Sequence, residues 1–299
     1  MAVVAPASPV AVDAYQAGLG ILAARYTIVH AYDPHSSSSS SAASLPYLAA
    51  EDQCRADFFN QALQDPQVEA IFCARGGYGV MRILGLLDNE ALRQRQIPIV
   101  GFSDITALHA WAACNGRASV HGPVVTQLGH LPPAEVQSLF DLLEGQAAPH
   151  LSGLEAVSRG CATGPLWGGN LTIISHLCGT PYLPDLSGHI LLLEDIGESP
   201  YRIDRMLTQL MMAGVLQKIV GLVIGDLLHC DGPQGPSQIF TRGRAVMAER
   251  LGHLDLPVVM GAPVGHGEHN IALPLGVPAQ LDAAAGTLCF KTGEAKGEQ

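Results

Sequence analysis

The chain has 299 residues, of which 48% are hydrophobic and 14% charged, a balance typical of a large buried core and unlike that of a disordered chain. Sixteen Lys and Arg against 27 Asp and Glu give a formal net charge of -11, which argues against nucleic acid as a partner. The length is sufficient for two domains of ordinary size, and two domains are expected.

The first half of the sequence alternates short apolar runs with helical patterns. Residues 2–5 (AVVA) predict a strand, followed by helical spacing of apolar residues from Val12 to Leu22. The pattern then predicts, in order, helix 50–65, strand 68–74, helix 80–95 and strand 97–102. Strands that alternate with helices predict a flavodoxin-like or Rossmann-like parallel sheet covered on both sides. The serine-rich run at 35–44, which includes Ser36 to Ser41, predicts a surface loop.

The second half is richer in strands. Apolar or β-branched runs separated by turns occur at 189–196, 218–229, 256–265 and 279–292. Helical patterns occupy 171–179 and 201–215, the latter preceded by Ser199 as N-cap and Pro200 in the first turn. Between the two halves of the chain, at 145–160, the regular spacing of apolar residues is lost. We therefore predict an N-terminal α/β domain over 1–150 and a smaller β-rich domain over 151–299.

Cysteine usage and the N-terminus predict a cytoplasmic location. The seven cysteines are scattered and never have C-x-x-C spacing, as expected for reduced thiols. The N-terminal stretch has no basic residues before its apolar ones, and Pro6, Pro9 and Asp13 interrupt it too early for a signal peptide. No run of 18 apolar residues is free of charge and proline, so no membrane partner is expected.

Ser103 stands in GFSDIT, between the strand-like run at 97–102 and a helical run. A serine at the turn from strand to helix has the position of a nucleophile elbow, although GFSDI lacks the final glycine of G-x-S-x-G. The local sequence is equally compatible with Ser103 or Asp104 as the cap of a helix that starts at Ile105. Both interpretations stay open at this point.

A serine nucleophile needs a base and an orienting carboxylate, and the second half supplies candidates. Glu194 and Asp195 end an apolar strand, and His266 and His269 lie in the glycine-rich loop GAPVGHGEHN. Their order along the chain, Ser, Glu, His, also occurs in α/β-hydrolases. The alternatives are a strand-end carboxylate paired with an arginine, and solvated histidines. The spacing H-G-E-H does not match H-E-x-x-H, and no metal site is predicted.

The loop ARGGYG at 74–79 lies between a predicted strand and a predicted helix. Its glycines are able to present backbone N–H groups to an anion, but the loop is neither a Walker A motif nor G-x-G-x-x-G. A nucleotide cofactor is therefore not predicted. With the backbone N–H of Asp104, the backbone N–H of Gly77 would provide the two donors of an oxyanion hole.

Together these motifs resemble the LD-carboxypeptidase family, which comprises the muramoyltetrapeptide carboxypeptidases and the related microcin-immunity peptidases. The motifs occur in the family's order and span nearly the whole chain: VVAPAS at 3, ARGGYG at 74, GFSDIT at 101, LWGGNL at 166, LLLEDIGESPYRIDRML at 191, and VGHGEHN with LPLG near the end.

The resemblance implies a Ser-His-Glu triad at a domain junction, beside a C-terminal domain that is a small β-rich barrel. Matched by motif, the nucleophile is Ser103, the carboxylate Glu194 and the base His266, with the N–H of Asp104 helping to bind the oxyanion. It also implies a cytoplasmic murein tetrapeptide substrate, release of terminal D-alanine in cell-wall recycling, no metal or other cofactor, and a homodimer.

Trp167 and Asn170 in LWGGNL are expected to line the substrate cleft, because an exposed indole packs well on a peptide and an amide binds polar groups. The alternative for Trp167 is an ordinary core position. Two other functions stay open: a microcin-immunity-type peptidase that cleaves a peptidyl-nucleotide, and a non-catalytic protein that binds a small ligand.

Overall fold

The computed structural model describes residues 1–35, 45–234 and 239–290, so the serine-rich run with Ser36 to Ser41 lies outside the described residues. Up to residue 143 the elements are β1 (Ala2–Val4), α1 (Val12–Ala23), β2 (His30–Ala31), α2 (Asp52–Gln64), β3 (Ile71–Cys73), α3 (Val80–Ile83), α4 (Asn89–Gln94), β4 (Ile99–Gly101), α5 (Thr106–Cys114), β5 (Ser119–His121), α6 (Val125–Leu128) and α7 (Pro133–Leu143).

From residue 150 onward they are β6 (His150–Leu151), β7 (Glu155–Ser158), β8 (Cys161–Asn170), α8 (Leu171–Leu177), β9 (Ile190–Ile196), α9 (Pro200–Met212), β10 (Gly221–Leu228), β11 (Gly232–Gln234), β12 (Ile239–Thr241), α10 (Gly243–Leu251), β13 (Val258–Met260), β14 (Leu273–Leu275), β15 (Pro278–Asp282) and β16 (Thr287–Phe290).

The first sheet has the strand order β14-β5-β4-β3-β1-β2, and the five strands from the first half all run parallel. In β3, Ile71, Phe72 and Cys73 are all fully buried, because helices cover both faces of the sheet. A strand buried on both faces has a continuous apolar run. The predicted N-terminal parallel sheet is thus confirmed.

The second sheet has eight strands in the order β6-β16-β15-β8-β9-β10-β13-β7. Its central strands β8, β9, β10 and β13 are parallel, and the outer strands pair antiparallel to their neighbours. The β-rich C-terminal part is confirmed. The strand order has two free ends, β6 and β7, so the described strands do not close into the barrel that the resemblance implied.

One strand from the second half of the chain belongs to the first sheet. From the second half of the chain, β14 pairs antiparallel with β5, where Leu273 lies opposite His121 and Leu275 opposite Ser119. Apart from β14, the first sheet contains only strands that precede residue 150, and the second sheet contains only strands from residue 150 onward. The division into 1–150 and 151–299 stays a prediction, and β14 shows that the two halves share a sheet.

The single helix predicted over 80–95 is wrong. Helix α3 ends at Ile83, a 3-10 turn covers Leu84–Leu86, and α4 begins at Asn89. Leu87 is extended, and the Asp88 carboxylate accepts a 2.9 Å hydrogen bond from the N–H of Ala91. Asp88 therefore caps a new helix, and a local side-chain bond of this kind outweighs the apolar spacing.

The seven cysteines, all in the described part of the chain, are free. Within residues 1–35, 45–234 and 239–290, no helix has the length and apolarity needed to cross a bilayer.

Helix α1 packs closely on α6 at one glycine. A Cβ on Gly18 would lie 1.9 Å from the backbone oxygen of Val125, whereas a Cβ on Gly20 would meet nothing within 4 Å. Gly18 is buried and Gly20 exposed. The two positions share one helix but have opposite surroundings.

We expect Gly18→Ala to lower the free energy of unfolding by about 1–3 kcal/mol, because the methyl group forces α1 away from α6. Gly20→Ala is the matched control, and it should raise that free energy by about 0.5–1 kcal/mol through the better helix propensity of alanine. Urea unfolding of both variants measures the difference. Equal stability of the two variants would contradict the close packing at Gly18.

Candidate active site

Ser103 lies just beyond β4, after a sharp change of backbone direction. Its φ of +65° is left-handed, which is rare for a residue with a side chain, and Phe102 before it is extended. Two glycines make room for the bend. A Cβ on Gly101 would lie 2.9 Å from Ile105, and one on Gly76 would lie 2.9 Å from the Ser103 Cβ. This is the geometry of a nucleophile elbow.

Neither Ser103 nor Asp104 caps the helix that follows them. A 3-10 turn over Ser103–Ile105 leads into α5, and no side-chain cap bond forms at either helix. Asp104 is buried instead beside α3, where its Oδ2 accepts a 2.9 Å hydrogen bond from the N–H of Val80. Burial raises the pKa of Asp104 to about 6, against the lowering effects of the Val80 bond and the Arg55 charge. The cap interpretation is therefore wrong for both residues.

Three distant segments meet at Ser103. His266, in the loop after β13, has its Nε2 3.1 Å from the Ser103 Oγ and its Nδ1 2.7 Å from Oε2 of Glu194. Glu194 is near the end of β9 and has no exposed surface. Because the carboxylate only accepts, Nδ1 donates its proton to Oε2, and Nε2 is left to accept the serine proton. The structure thus joins the three residues predicted for the triad.

The surroundings of His266 favour its charged form. Burial lowers the pKa of the imidazole, but the hydrogen bond and charge of Glu194, with smaller contributions from Asp195 and Asp226, outweigh it. The net effect raises the pKa of His266 above its usual value of 6.5. The ring also packs on Phe102, with the ring centroids 4.7 Å apart. The nearby carboxylates therefore stabilise the imidazolium that forms when His266 accepts a proton.

Residues that the sequence did not single out hold the loop of His266. The N–H of Gly265 donates to Oδ1 of Asn270 at 3.1 Å, and the N–H of Gly267 donates to Oδ2 of Asp226 at 2.9 Å. Asn270 in turn donates to Gln127 at 2.9 Å. Asp226 follows the apolar run of β10 much as Glu194 follows that of β9. That shared pattern was the available signal for Asp226.

The two neighbouring candidates have other partners. Asp195 points away from His266 and binds Thr172 and Asn170, and burial raises its pKa to about 6, with the Glu194 charge as the next cause. His269 bonds through Nδ1 to Glu135 on α7, away from the serine. The choice of Glu194 and His266 over these neighbours agrees with the geometry.

Trp167 and Asn170 are interior residues. The Trp167 side chain is 1% exposed in the central strand β8, so the prediction of an exposed indole in the cleft is wrong. Asn170 is 5% exposed and caps α8, since its Oδ1 accepts from the N–H of Ile173 at 3.1 Å. The glycines between them let β9 approach: a Cβ on Gly168 would lie 2.0 Å from the Leu192 oxygen. The indole itself lies against α5, where its Nε1 is 3.5 Å from the backbone oxygen of His109.

A cleft of about 480 Å³ opens in front of Ser103 and His266. The ARGGYG loop forms one wall, with Gly77 in the left-handed region at φ +105°. Ser8 fixes this loop, because its Oγ accepts a 3.0 Å hydrogen bond from the N–H of Tyr78. The volume suits a small ligand or a short peptide. Gly77 thus faces the cleft, and its oxyanion role and that of Asp104 stay predictions.

The described ranges, including the residues around the cleft, contain no metal-binding cluster. No group of three or more His, Cys, Asp or Glu side chains there has the arrangement that could hold an ion. Beside the cleft, the hydroxyl of Ser103, the imidazole of His266 and the carboxylate of Glu194 form one hydrogen-bonded chain.

Comparison with known proteins identifies the family. The profile of the LD-carboxypeptidase N-terminal domain matches residues 1–122, and that of the LD-carboxypeptidase C-terminal domain matches residues 163–281. The chain belongs to the LD-carboxypeptidase family. The predicted resemblance is confirmed.

Individual relatives agree with the profiles. A putative carboxypeptidase of Streptomyces coelicolor is 40% identical over 300 residues, covering 96% of this chain and 92% of that protein. The murein tetrapeptide carboxypeptidase of Pseudomonas aeruginosa is 32% identical over 298 residues, covering 94% and 92%. The microcin C7 self-immunity protein of Escherichia coli is 26% identical over 264 residues, covering 76% and 75%.

Solved structures show the same fold. The crystal structure of muramoyltetrapeptide carboxypeptidase from Oxalobacter formigenes superposes with a TM-score of 0.81 at 31% identity, over 97% of both chains. A microcin C7 self-immunity protein in complex with aspartyl sulfamoyl adenosine superposes with a TM-score of 0.83 at 21% identity, over 97% of this chain and 95% of that one.

Asp195 anchors the start of α8 to the end of β9. It accepts from the N–H and hydroxyl of Thr172, from Nδ2 of Asn170 and from the N–H of Ile196.

Asp195→Ala should lower the free energy of unfolding by about 2–5 kcal/mol, because buried donors lose their acceptor. Denaturant titration measures this. Exposed Asp185→Ala is the control and should change stability little; an equal effect of both would refute the anchoring role.

Proposed function

We propose that the chain is a serine LD-carboxypeptidase that releases terminal D-alanine from the murein tetrapeptide L-Ala-D-Glu-meso-diaminopimelate-D-Ala. The observation that carries the proposal is the continuous hydrogen-bonded chain from Ser103 through His266 to buried Glu194. Three residues from separate elements meet in the geometry of nucleophile, base and orienting carboxylate. The names of the relatives add the substrate class.

In acylation, the Ser103 oxygen attacks the carbonyl carbon at the L-centre of meso-diaminopimelate. The serine proton passes to Nε2 of His266 and then to the amine of D-alanine as the peptide bond breaks. In deacylation, water loses a proton to the same Nε2 and displaces Ser103, which recovers its proton. Glu194 keeps the Nδ1 proton in place and stabilises the imidazolium at each transfer.

The negative oxygen that forms at the attacked carbonyl needs donors. The proposed donors are the backbone N–H groups of Asp104 and Gly77. Two contacts support this assignment: Gly76 packs against the Ser103 Cβ with no space for a side chain, and Gly77 faces the same cleft. The N–H of Asp104 follows the nucleophile directly, as in other nucleophile elbows.

The proposed setting is the recycling of cell-wall peptides in the cytoplasm. Its support is the set of seven free cysteines, which suits a reducing compartment, and the cleft volume of about 480 Å³, which suits a short peptide. The proposed reaction uses no metal and no cofactor. A homodimer is part of the proposal through the family resemblance alone.

The second candidate is a microcin-immunity-type peptidase that cleaves a peptidyl-nucleotide. It is favoured by the 26% identity to the Escherichia coli self-immunity protein. The murein substrate is preferred because the murein tetrapeptide carboxypeptidase of Pseudomonas aeruginosa is more similar, at 32% identity over 94% of this chain. Hydrolysis of aspartyl sulfamoyl adenosine, with the tetrapeptide left intact, would favour the second candidate.

The first test is D-alanine release from the tetrapeptide in the presence of a metal chelator. The intact protein should release D-alanine, and Ser103→Ala should be slower by at least about 1,000-fold, because the nucleophile is lost. Ser152→Ala, a change at an exposed serine outside the cleft, is the control and should retain full activity. Undiminished release by Ser103→Ala would exclude Ser103 as the nucleophile, whereas no release by the intact protein would leave the peptidyl-nucleotide peptidase and the non-catalytic binding protein as the open alternatives.

The second test is the pH dependence of kcat/KM. His266 must be neutral to accept the serine proton, and its pKa is raised, so activity should fall on the acid side with a midpoint above pH 6.5. Glu194→Gln removes the charge that raises this pKa, so the midpoint should move to lower pH and kcat should fall by at least about 100-fold. Glu268→Gln alters an exposed carboxylate in the same loop and should leave both unchanged. An unmoved midpoint in Glu194→Gln would argue against the assigned pair.

A further inference from the structure

The cleft in front of Ser103 differs in charge from the rest of the molecule. The chain carries 27 acidic against 16 basic residues, yet no Asp or Glu side chain is among the described residues that line the cleft. The lining includes one guanidinium, that of Arg75, beside the imidazoles of His130 and His266. A cleft without carboxylates that presents a guanidinium attracts an anionic ligand.

Arg75 also differs from most arginines of the chain in its partners. The guanidiniums that form ion pairs with carboxylates are those of Arg25, Arg55, Arg82, Arg93, Arg202, Arg244 and Arg250. Arg75 forms no ion pair with any described residue. Its Nη1 donates a 2.6 Å hydrogen bond to the backbone oxygen of Pro9, and its side chain is otherwise exposed.

This single bond orients the guanidinium without saturating it. A guanidinium has five N–H donors, and the edge formed by Nε and Nη2 stays available for two parallel bonds to one carboxylate. Lysine has no such edge. The bond to Pro9 also fixes part of the side chain before a ligand arrives, which reduces the entropy lost on binding.

The position of Arg75 relative to Ser103 sets which ligand group it can reach. Arg75 directly precedes Gly76, which packs on the Ser103 Cβ, and Gly77, which is proposed to bind the oxyanion. In a carboxypeptidase substrate, the terminal carboxylate carbon lies three bonds, roughly 3–4 Å, from the carbonyl carbon that is attacked. Arg75 and Ser103 line the same cleft, so a substrate whose carbonyl lies at Ser103 has its terminal carboxylate in the cleft that the guanidinium also lines.

We propose that Arg75 is the binding site for the C-terminal carboxylate of the residue that the enzyme releases. The inference rests on the proposed function and extends it: Arg75 would make the enzyme an exopeptidase, because only a substrate whose chain ends one residue beyond the scissile bond presents a carboxylate to it. Arg75 is thus a specificity-determining residue for the leaving amino acid.

The experiment compares two tetrapeptides that differ only at the C-terminus, one ending in D-alanine and one in D-alaninamide. The intact protein should prefer the acid by roughly 10- to 100-fold in kcat/KM, the factor expected for charged hydrogen bonds in a partly exposed site. Arg75→Gln should lose this preference, with the loss confined to the acid and expressed mainly in KM. Arg75→Lys should retain part of the preference through its charge.

Arg117→Gln is the matched control. Arg117, like Arg75, donates to one backbone oxygen, that of Leu92, and pairs with no described carboxylate, but it lies outside the cleft. This variant should keep the preference of the intact protein. Thermal unfolding of all three variants checks that each is folded, as expected for changes at a side chain with few contacts.

Retention of the full acid preference by Arg75→Gln would overturn the proposal while the carboxypeptidase activity stands. If the intact protein hydrolyses neither peptide, the proposed function fails, and calorimetric binding to Ser103→Ala decides the inference. Tighter binding of the acid than of the amide, abolished in Ser103→Ala/Arg75→Gln, would support the carboxylate site. Equal binding of the two peptides to Ser103→Ala would overturn it.

Discussion

The carboxylate of Glu194 has no exposed surface, and an unpaired charge in such a position costs several kcal/mol. Within the described part of the chain its Oε1 accepts no hydrogen bond, so the 2.7 Å bond from His266 to Oε2 is the compensating interaction. That bond brings the loop after β13 to the end of β9, and Asp226 and Asn270 hold the loop there. The position of the imidazole beside Ser103 follows from the need to pair a buried charge.

The same region joins the two sheets. Strand β14 leaves the second half of the chain to pair with β5, and the Thr106 hydroxyl at the start of α5 accepts a 3.0 Å hydrogen bond from the N–H of Asn170 at the end of β8. Asn170 then binds Asp195, the neighbour of Glu194. Helix α5 follows Ser103, so the serine and the carboxylate are fixed to one continuous set of contacts. The site lies where the sheets meet because each sheet supplies part of it.

A strained backbone residue and a guanidinium without a carboxylate partner both lie at the cleft. Ser103 adopts a left-handed φ of +65° that its neighbours enforce through close packing at Gly76 and Gly101. Arg75 next to that packing is left without a carboxylate partner in a chain with an excess of carboxylates. The strained backbone of Ser103 lowers the stability of the fold, and the guanidinium of Arg75 adds no ion pair to it. Both residues face the cleft. Such departures from local preference are expected where a protein binds and reacts with a ligand.

The sequence by itself determined the parallel sheet, the strand-rich second half and the position of Ser103, because apolar runs and the polar residues that end them are local patterns. Those patterns left Glu194 beside Asp195 and His266 beside His269, and the motif resemblance to the family selected Ser103, Glu194 and His266. Tertiary structure decided what depends on neighbours remote in the chain. It buried Trp167 against α5, turned Asp104 toward α3 and placed β14 in the first sheet. Burial and hydrogen-bond partners are set by residues up to 163 positions apart, such as Ser103 and His266, and no local pattern encodes those distances.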